Sequence, residues 1–236
     1  MRRFFSSQPI AGPEVILTGP EVHHLLHVDR IQVGEKLILF DGSSCEYLAR
    51  LVETSRDSVR LELLERLERD RMPAVELTLF AAVPKGRRMD VLVQMSCELG
   101  VASLVPLLTA RSVVHPGPNK LDHWRRIVLE SCKQSGRNLL MTVESPLRLA
   151  DALAQPRPDS LALLLSTAPD ARPLADVLGS RPSKVVLLVG PEGGFTDSEV
   201  NEMVRAEFVP VSLGPATLRV ETAAVAAAAI VLAALR

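Results

Sequence analysis

The chain has 236 residues, of which 47% are hydrophobic and 23% charged, and its formal net charge is −1. That length can bury a proper core in one or two domains without disulfide or metal staples. The composition excludes a disordered or collagen-like protein, and the charge excludes a uniformly basic nucleic-acid binder while leaving room for a locally basic face.

At the start, Met1-Arg2-Arg3-Phe4-Phe5 runs into Ser6, Ser7, Gln8 and Pro9, so no apolar signal segment forms. His23 and His24 are adjacent, and adjacent side chains point apart on any regular element, which argues for a structural role rather than a metal site. Three cysteines, Cys45, Cys97 and Cys132, are far apart and never in a CxxC spacing. They suit a reducing compartment and small buried hydrophobes better than a disulfide framework or zinc. Val33 to Phe40 reads as a strand closed by the Asp41-Gly42 turn, and Tyr47 to Val52 and Ser58 to Leu64 follow as further strands. Short strands separated by turn residues predict a small β-barrel over residues 1–72. The mostly charged run from Glu65 to Met72, stopped by Pro73, predicts a linker or rim.

From Val75 the rhythm changes. Glu76 to Val83 is strand-like, and Arg87 to Leu99 is amphipathic and closes at Gly100, a plausible helix terminator. Ser103 to Leu108 predicts a strand and Leu121 to Ser135 a helix. Leu161 to Leu165 and Val185 to Val189 are continuous apolar runs of the kind buried in parallel sheets. Thr196 to Arg205 predicts a helix, Phe208 to Leu213 a strand, and Glu221 to Leu235 an Ala-rich helix. Alternating strands and helices predict an α/β domain over 73–236 with a parallel sheet. The last helix has almost no polar face and predicts burial on most sides, within the domain or at a dimer interface. Its apolar run, Ala223 to Leu235, is too short to span a bilayer.

The sharpest motif is Val189-Gly190-Pro191-Glu192-Gly193-Gly194-Phe195-Thr196. It leaves a buried strand and enters a helix with Thr196 as N-cap and Glu199 at N3, a capping box. A Gly-rich turn at the carboxyl end of a strand is where open α/β sheets bind ligands, and equally a tight connection that needs positive φ. No GxxxxGK[ST] occurs, so a P-loop triphosphatase is excluded, and no GxGxxG follows the first strand, so a dinucleotide or common methyltransferase fingerprint is missing. Leu213-Gly214-Pro215-Ala216-Thr217-Leu218-Arg219-Val220-Glu221-Thr222 is a second strand-to-helix loop, and Leu165-Ser166-Thr167 is a third strand exit. Three exits on one sheet edge would converge on one pocket. Between Lys85 and Arg137 nine basic residues face four acidic ones, whereas from Asn138 onward eight basic residues face eleven acidic ones. This segregation suits either a phosphate backbone lying on one face or ordinary solvated helices.

The sequence resembles the bacterial 16S rRNA uridine-N3 methyltransferases of the SPOUT class over nearly its whole length. The likeness rests on Met1-Arg2-Arg3-Phe4-Phe5, His23-His24-Leu25 and Leu39-Phe40-Asp41-Gly42, then on Pro84-Lys85-Gly86, Glu98-Leu99-Gly100-Val101, Arg111-Ser112 and Gln134-Ser135-Gly136-Arg137. It is strongest in Gly190-Pro191-Glu192-Gly193-Gly194-Phe195 and in Leu213-Gly214-Pro215 with Leu218-Arg219 and Glu221-Thr222-Ala223.

The resemblance implies a PUA-like β-barrel over 1–72 and a SPOUT-type α/β domain over 73–236 with a C-terminal trefoil knot at about 160–236. It implies an S-adenosylmethionine site formed by Leu165, Ser166, Thr167, Val189, Gly190, Pro191, Glu192, Gly193, Leu213, Gly214 and Leu218. Arg219 and Glu221 are the catalytic candidates, Arg219 as the electrostatic element and Glu221 or Glu192 as base. Lys85, Arg87, Arg111, Lys133 and Arg137 are the candidates for holding rRNA phosphates. The implied protein is a cytoplasmic homodimer, joined through its last helix, that acts on 16S rRNA or the small ribosomal subunit without metal or membrane. A ribose 2′-O methyltransferase and a non-catalytic RNA-binding assembly factor are the rival readings. One departure stands out: Ala216 occupies a position where Arg is usual in the family, which removes a cation from that loop.

Overall fold

The computed structural model describes residues 1–69 and 71–235. Asp70, inside the expected linker, and Arg236 lie outside the described residues. The chain divides into two compact units, one of residues 1–72 with 129–140 and the other of residues 73–128 with 141–236.

In the first unit, β1 (Arg3–Phe5), β2 (Glu14–Thr18), the short helix α1 (Pro20–His23), β3 (Lys36–Phe40), β4 (Cys45–Thr54) and β5 (Ser58–Glu68) follow in order. The strands form one sheet, β1-β3-β4-β5-β2, antiparallel except where β1 runs parallel to β3. The two edge strands do not pair with each other, so the sheet is open rather than a closed barrel. The β4–β5 register shifts twice, with the extra Leu64 on β5 opposite Leu48/Ala49 and the extra Val52 on β4 between Leu51 and Glu53, and such irregularities bend strands and add twist. Alternate residues face one core: Leu37 and Leu39, Ala49 and Leu51, Val59 and Leu61, joined by Phe4, Leu17 and Leu25. The expected linker is partly strand, because β5 continues through Glu65–Glu68 opposite Cys45–Leu48. Its charges are tolerated because β2 covers only Ser58–Glu62 and leaves the far half of β5 open on that side. β1 and β2 carry little signal in the sequence because each is a short edge strand held by its neighbour rather than by its own pattern.

In the second unit come β6 (Glu76–Ala82), α2 (Arg88–Leu99), β7 (Ser103–Leu108), α3 (Pro118–Ser135, which continues into the first unit), β8 (Thr142–Val143), β9 (Leu147–Arg148), α4 (Leu149–Ala154), β10 (Ser160–Leu165), β11 (Arg172–Pro173), α5 (Leu174–Val177), β12 (Lys184–Val189), α6 (Asp197–Arg205), β13 (Val209–Ser212) and α7 (Val220–Ala234). The sheet order is β11-β13-β10-β12-β6-β7-β8, with β9 also on β7, and every pairing is parallel. The continuous apolar runs exist because β12 and its neighbours are covered on both faces. Even-numbered residues such as Phe80, Leu164, Val186 and Leu188 pack with Met203 and Phe208. On β6 and β12 the odd-numbered Leu77, Leu79, Leu187 and Val189 are buried as well. Each fully buried Leu or Val contributes about 1.5–3 kcal/mol.

Gly100 ends α2 at φ 102°. A Cβ there would lie 2.6 Å from Pro73, so glycine is needed both for backbone hand and for space. Helix α7 packs on α2, β6 and β12. It buries one face, Val220, Ala224, Ala227, Ala228, Val231 and Leu232, and leaves Thr222, Ile230, Ala233 and Ala234 exposed. The burial expected on most sides is therefore met on one side within this chain.

Candidate active site

A parallel sheet sends all its strand exits to one edge, and β13, β10 and β12 are neighbours there. The chain leaving β10 is turned at once: Ser166 N–H donates to Val211 C=O at 2.9 Å, and the Ser166 hydroxyl accepts from Ala168 N–H at 3.1 Å. The chain leaving β12 makes a tight turn in which Gly194 N–H donates to Pro191 C=O at 2.8 Å, with Gly194 at φ 68°. Gly190 is required by contact, since a Cβ there would lie 2.7 Å from the Phe195 ring. After β13, the Ser212 hydroxyl accepts from Gly214 N–H at 3.1 Å and Gly214 takes φ 128°.

These turns enclose a cavity of about 520 Å³. All of Leu165, Ser166, Thr167, Val189, Gly190, Pro191, Glu192, Gly193, Leu213, Gly214 and Leu218 line it. Arg111, Phe195, Val200, Ala216, Thr217, Val220 and Ala223 are among the other lining residues. Its walls combine main-chain groups of the glycine turns with the apolar faces of Val189, Leu213 and Leu218. Leu218, an exposed wall residue, presents its apolar side chain there.

Supports behind the wall come from distant segments. The capping box is present: Glu199 N–H donates to the Thr196 hydroxyl at 3.2 Å, and Thr196 N–H donates to Glu199 Oε2 at 2.8 Å. Glu199 is buried and its second oxygen accepts from Ala110 N–H at 2.7 Å, which fastens the loop after β7 to the start of α6. From that same loop Arg111 Nη1 donates to the Gly193 and Phe195 carbonyls at 2.7 and 3.2 Å.

The catalytic candidates stand beside the cavity rather than in its wall. Arg219 is the exposed N-cap of α7, between Leu218 and Val220 of the wall, and its side chain makes no capping bond. The Glu221 carboxylate faces Arg88, with Oε1 4.0 Å from Arg88 Nε and Oε2 buried without a hydrogen-bond partner. Arg88 also donates to Glu192 Oε1 at 3.2 Å. Of the basic candidates, Lys85 and Arg87 are exposed, Arg87 almost wholly so.

Arg111 is exposed as well, with its Nη1 held by the Gly193 and Phe195 carbonyls, whereas Lys133 and Arg137 are not phosphate-ready. The Lys133 side chain is buried in an ion pair with Glu21 and a second with Glu130. Arg137 is 5% exposed and donates to Leu139 C=O. Counting charge along the chain weighs sign and not burial, and these two cations are spent inside the first unit. Among the described residues no cluster of three or more His, Cys, Asp or Glu could hold a metal, and no helix is long and apolar enough to cross a membrane.

The model of the RNA methyltransferase domain matches residues 71–232, and that of the RNA methyltransferase PUA domain matches residues 17–64. The chain is 34% identical to the ribosomal RNA small subunit methyltransferase E of Synechocystis, over 94% of this chain and 74% of that one. It is 32% identical to the Aquifex aeolicus protein of the same name, over 97% and 98% of the two chains. A ribosomal RNA small subunit methyltransferase E from Neisseria gonorrhoeae, solved bound to S-adenosylmethionine, superposes with a TM-score of 0.90 at 34% identity, covering 97% of this chain and 95% of that one. With a cavity at the strand exits, a preceding PUA segment and relatives matched end to end, the chain belongs to the RNA methyltransferase family that includes the ribosomal RNA small subunit methyltransferases E.

Proposed function

We propose that the protein transfers the methyl group of S-adenosylmethionine to N3 of a uridine in 16S rRNA of the small ribosomal subunit. The observation that carries this reading is the convergence of the turns at 165–167, 189–194 and 213–218 on one cavity in a chain of this family. The residues fit that cofactor. The volume lies within the range of about 300–1,000 Å³ usual for small-molecule sites. The glycine turns let a ligand reach main-chain N–H and C=O groups, while Val189, Leu213 and Leu218 offer apolar surface to a flat ring.

When bound, S-adenosylmethionine supplies a methyl group already activated on a sulfonium sulfur. What remains for the protein is orientation and charge. Leu165, Ser166, Thr167, Gly190, Gly193, Gly214 and Leu218 hold the donor. Arg219, exposed at the rim, stabilises the uracil ring as its N3 proton leaves. Glu221, with one carboxylate oxygen free of hydrogen bonds, takes that proton directly or through water, with Glu192 as the second candidate. Lys85, Arg87 and Arg111 hold rRNA phosphates and set register. The target uridine is unpaired or drawn out of its stack.

The same reading takes residues 160–236 as a trefoil knot. It is supported by β13 lying beside β10 although β12 falls between them in sequence, and by α7 then packing on β6 and β12. It takes the protein as a cytoplasmic homodimer joined through α7, supported by the exposed Ile230 of α7 and the exposed Val91 and Met95 of α2, on which α7 packs. The test is methylation of unmodified small subunits with labelled S-adenosylmethionine, followed by nucleoside mapping. N3-methyluridine at one position is expected. A 2′-O-methylated nucleoside would replace this reading with the ribose enzyme, and RNA binding without cofactor binding would replace it with the assembly factor.

A further inference from the structure

We infer that Arg88 is a positioning residue that locks the Gly-rich turn to the first turn of α7 and so fixes the shape of the cavity for methyl transfer. The inference rests on the reading above, and its subject is a side chain outside the cavity wall.

Arg88 is the first residue of α2, just beyond the exit of β6. Its Nη1 donates to Glu192 Oε1 at 3.2 Å, and its Nε lies 4.0 Å from Glu221 Oε1. Glu192 belongs to the wall formed by the turn after β12, and Glu221 follows Val220, which belongs to the wall on the side of α7. Three segments distant in sequence therefore meet at one guanidinium. Among the described residues Arg88 is the ion-pair partner of both carboxylates. The Glu221 side chain is only 14% exposed, so water cannot fully replace that partner.

Arginine suits the task because its planar fork presents donors in two directions, whereas a lysine ammonium is a point charge. Without the cation, two carboxylates that shared it repel, and the turn carrying Glu192 moves away from α7. Transfer needs the reacting atoms in line within a narrow tolerance, and a displacement of about 1 Å can cost about 10²-fold in rate. Binding of the donor, spread over three turns, is less sensitive.

The test compares wild type, Arg88→Ala and Arg88→Lys by steady-state kinetics on small subunits, cofactor titration and amide hydrogen exchange. In Arg88→Ala, kcat is expected to fall by about 10- to 100-fold while cofactor affinity changes by less than about threefold. Exchange in 190–195 and 219–223 is expected to accelerate by at least about tenfold. Arg88→Lys, which keeps the cation but loses the fork, is expected to recover only part of kcat. Unchanged exchange in those segments overturns the lock. So does faster exchange with wild-type kcat, or a loss that Arg88→Lys does not relieve. If wild type itself transfers no methyl group, it is the functional reading that fails, and the exchange comparison alone decides the lock.

Discussion

Substitution of Gly190 by alanine tests whether the Gly-rich turn is shaped by space or by backbone conformation. The new Cβ would stand 2.7, 3.0 and 3.1 Å from Cε2, Cδ2 and Cζ of Phe195. Carbon atoms rest at about 3.5–4.0 Å, so the ring must retreat by roughly 0.8 Å or more. It cannot do so freely, because Phe195 packs against the core that contains Leu188, Met203 and Phe208 and itself lines the cavity. Overpacking of this kind costs about 1–3 kcal/mol. At about 2–4 °C per kcal/mol for a chain of this size, thermal unfolding should come about 2–12 °C earlier. If only half of the upper figure falls on the bound state, cofactor affinity drops about tenfold by the usual free-energy conversion. Gly194→Ala is the control: its Cβ meets nothing within 4 Å, so it incurs only the left-handed strain of φ 68°, about 1 kcal/mol. Differential scanning calorimetry and cofactor titration of both variants decide the matter. A Gly190→Ala protein that melts and binds like wild type, or one no worse than Gly194→Ala, would refute the reasoning.

Four further outcomes are expected. Glu199→Ala removes both the capping-box partner of Thr196 and the acceptor for Ala110 N–H, and should lower stability by about 1–3 kcal/mol in chemical denaturation; an unchanged midpoint would show that the two bonds carry no weight. Arg219→Ala should reduce kcat by about 10²-fold with cofactor affinity unchanged, and turnover equal to wild type would remove Arg219 from the chemistry. Arg87→Ala should flatten the salt dependence of rRNA binding by about 0.7–0.9 in log–log slope. Lys133→Ala should leave that slope alone and lower the melting temperature, because the largely covered Glu21 carboxylate loses its cation; the reverse pattern would return Lys133 to the RNA face.

The site was legible in the sequence wherever local chemistry sufficed. The turn at 189–196 announces itself through three glycines, a buried apolar run before it and a Thr–Glu capping pair after it. The exits at 165–167 and 213–218 needed only the alternation of strands and helices to be placed on the same sheet edge. What could not be read was long-range. Nothing near Arg88 indicates that it reaches Glu192 and Glu221, more than a hundred positions away. Nothing near Glu199 indicates that its second oxygen serves Ala110. Lys133 and Arg137 look like their exposed neighbours until the fold buries them. Helix α7 hides its own amphipathicity, because alanine fits a packed face and an open one alike. In the first unit, β5 outruns its sequence signal because the charged residues Glu65, Arg66 and Glu68 keep their ladder to β4 where β2 has already stopped.

The strand order has a bearing on biosynthesis. The strand β13 pairs beside β10, and α7 covers β6, so pieces made early wait for pieces made late. Such long-range parallel pairing is slow to form. While a ribosome is still translating this chain, the pocket has only two of its three sides, and β6, β10 and β12 carry apolar surface with no cover. A nascent molecule therefore lacks a complete cavity and is exposed to aggregation or chaperone capture until α7 has emerged.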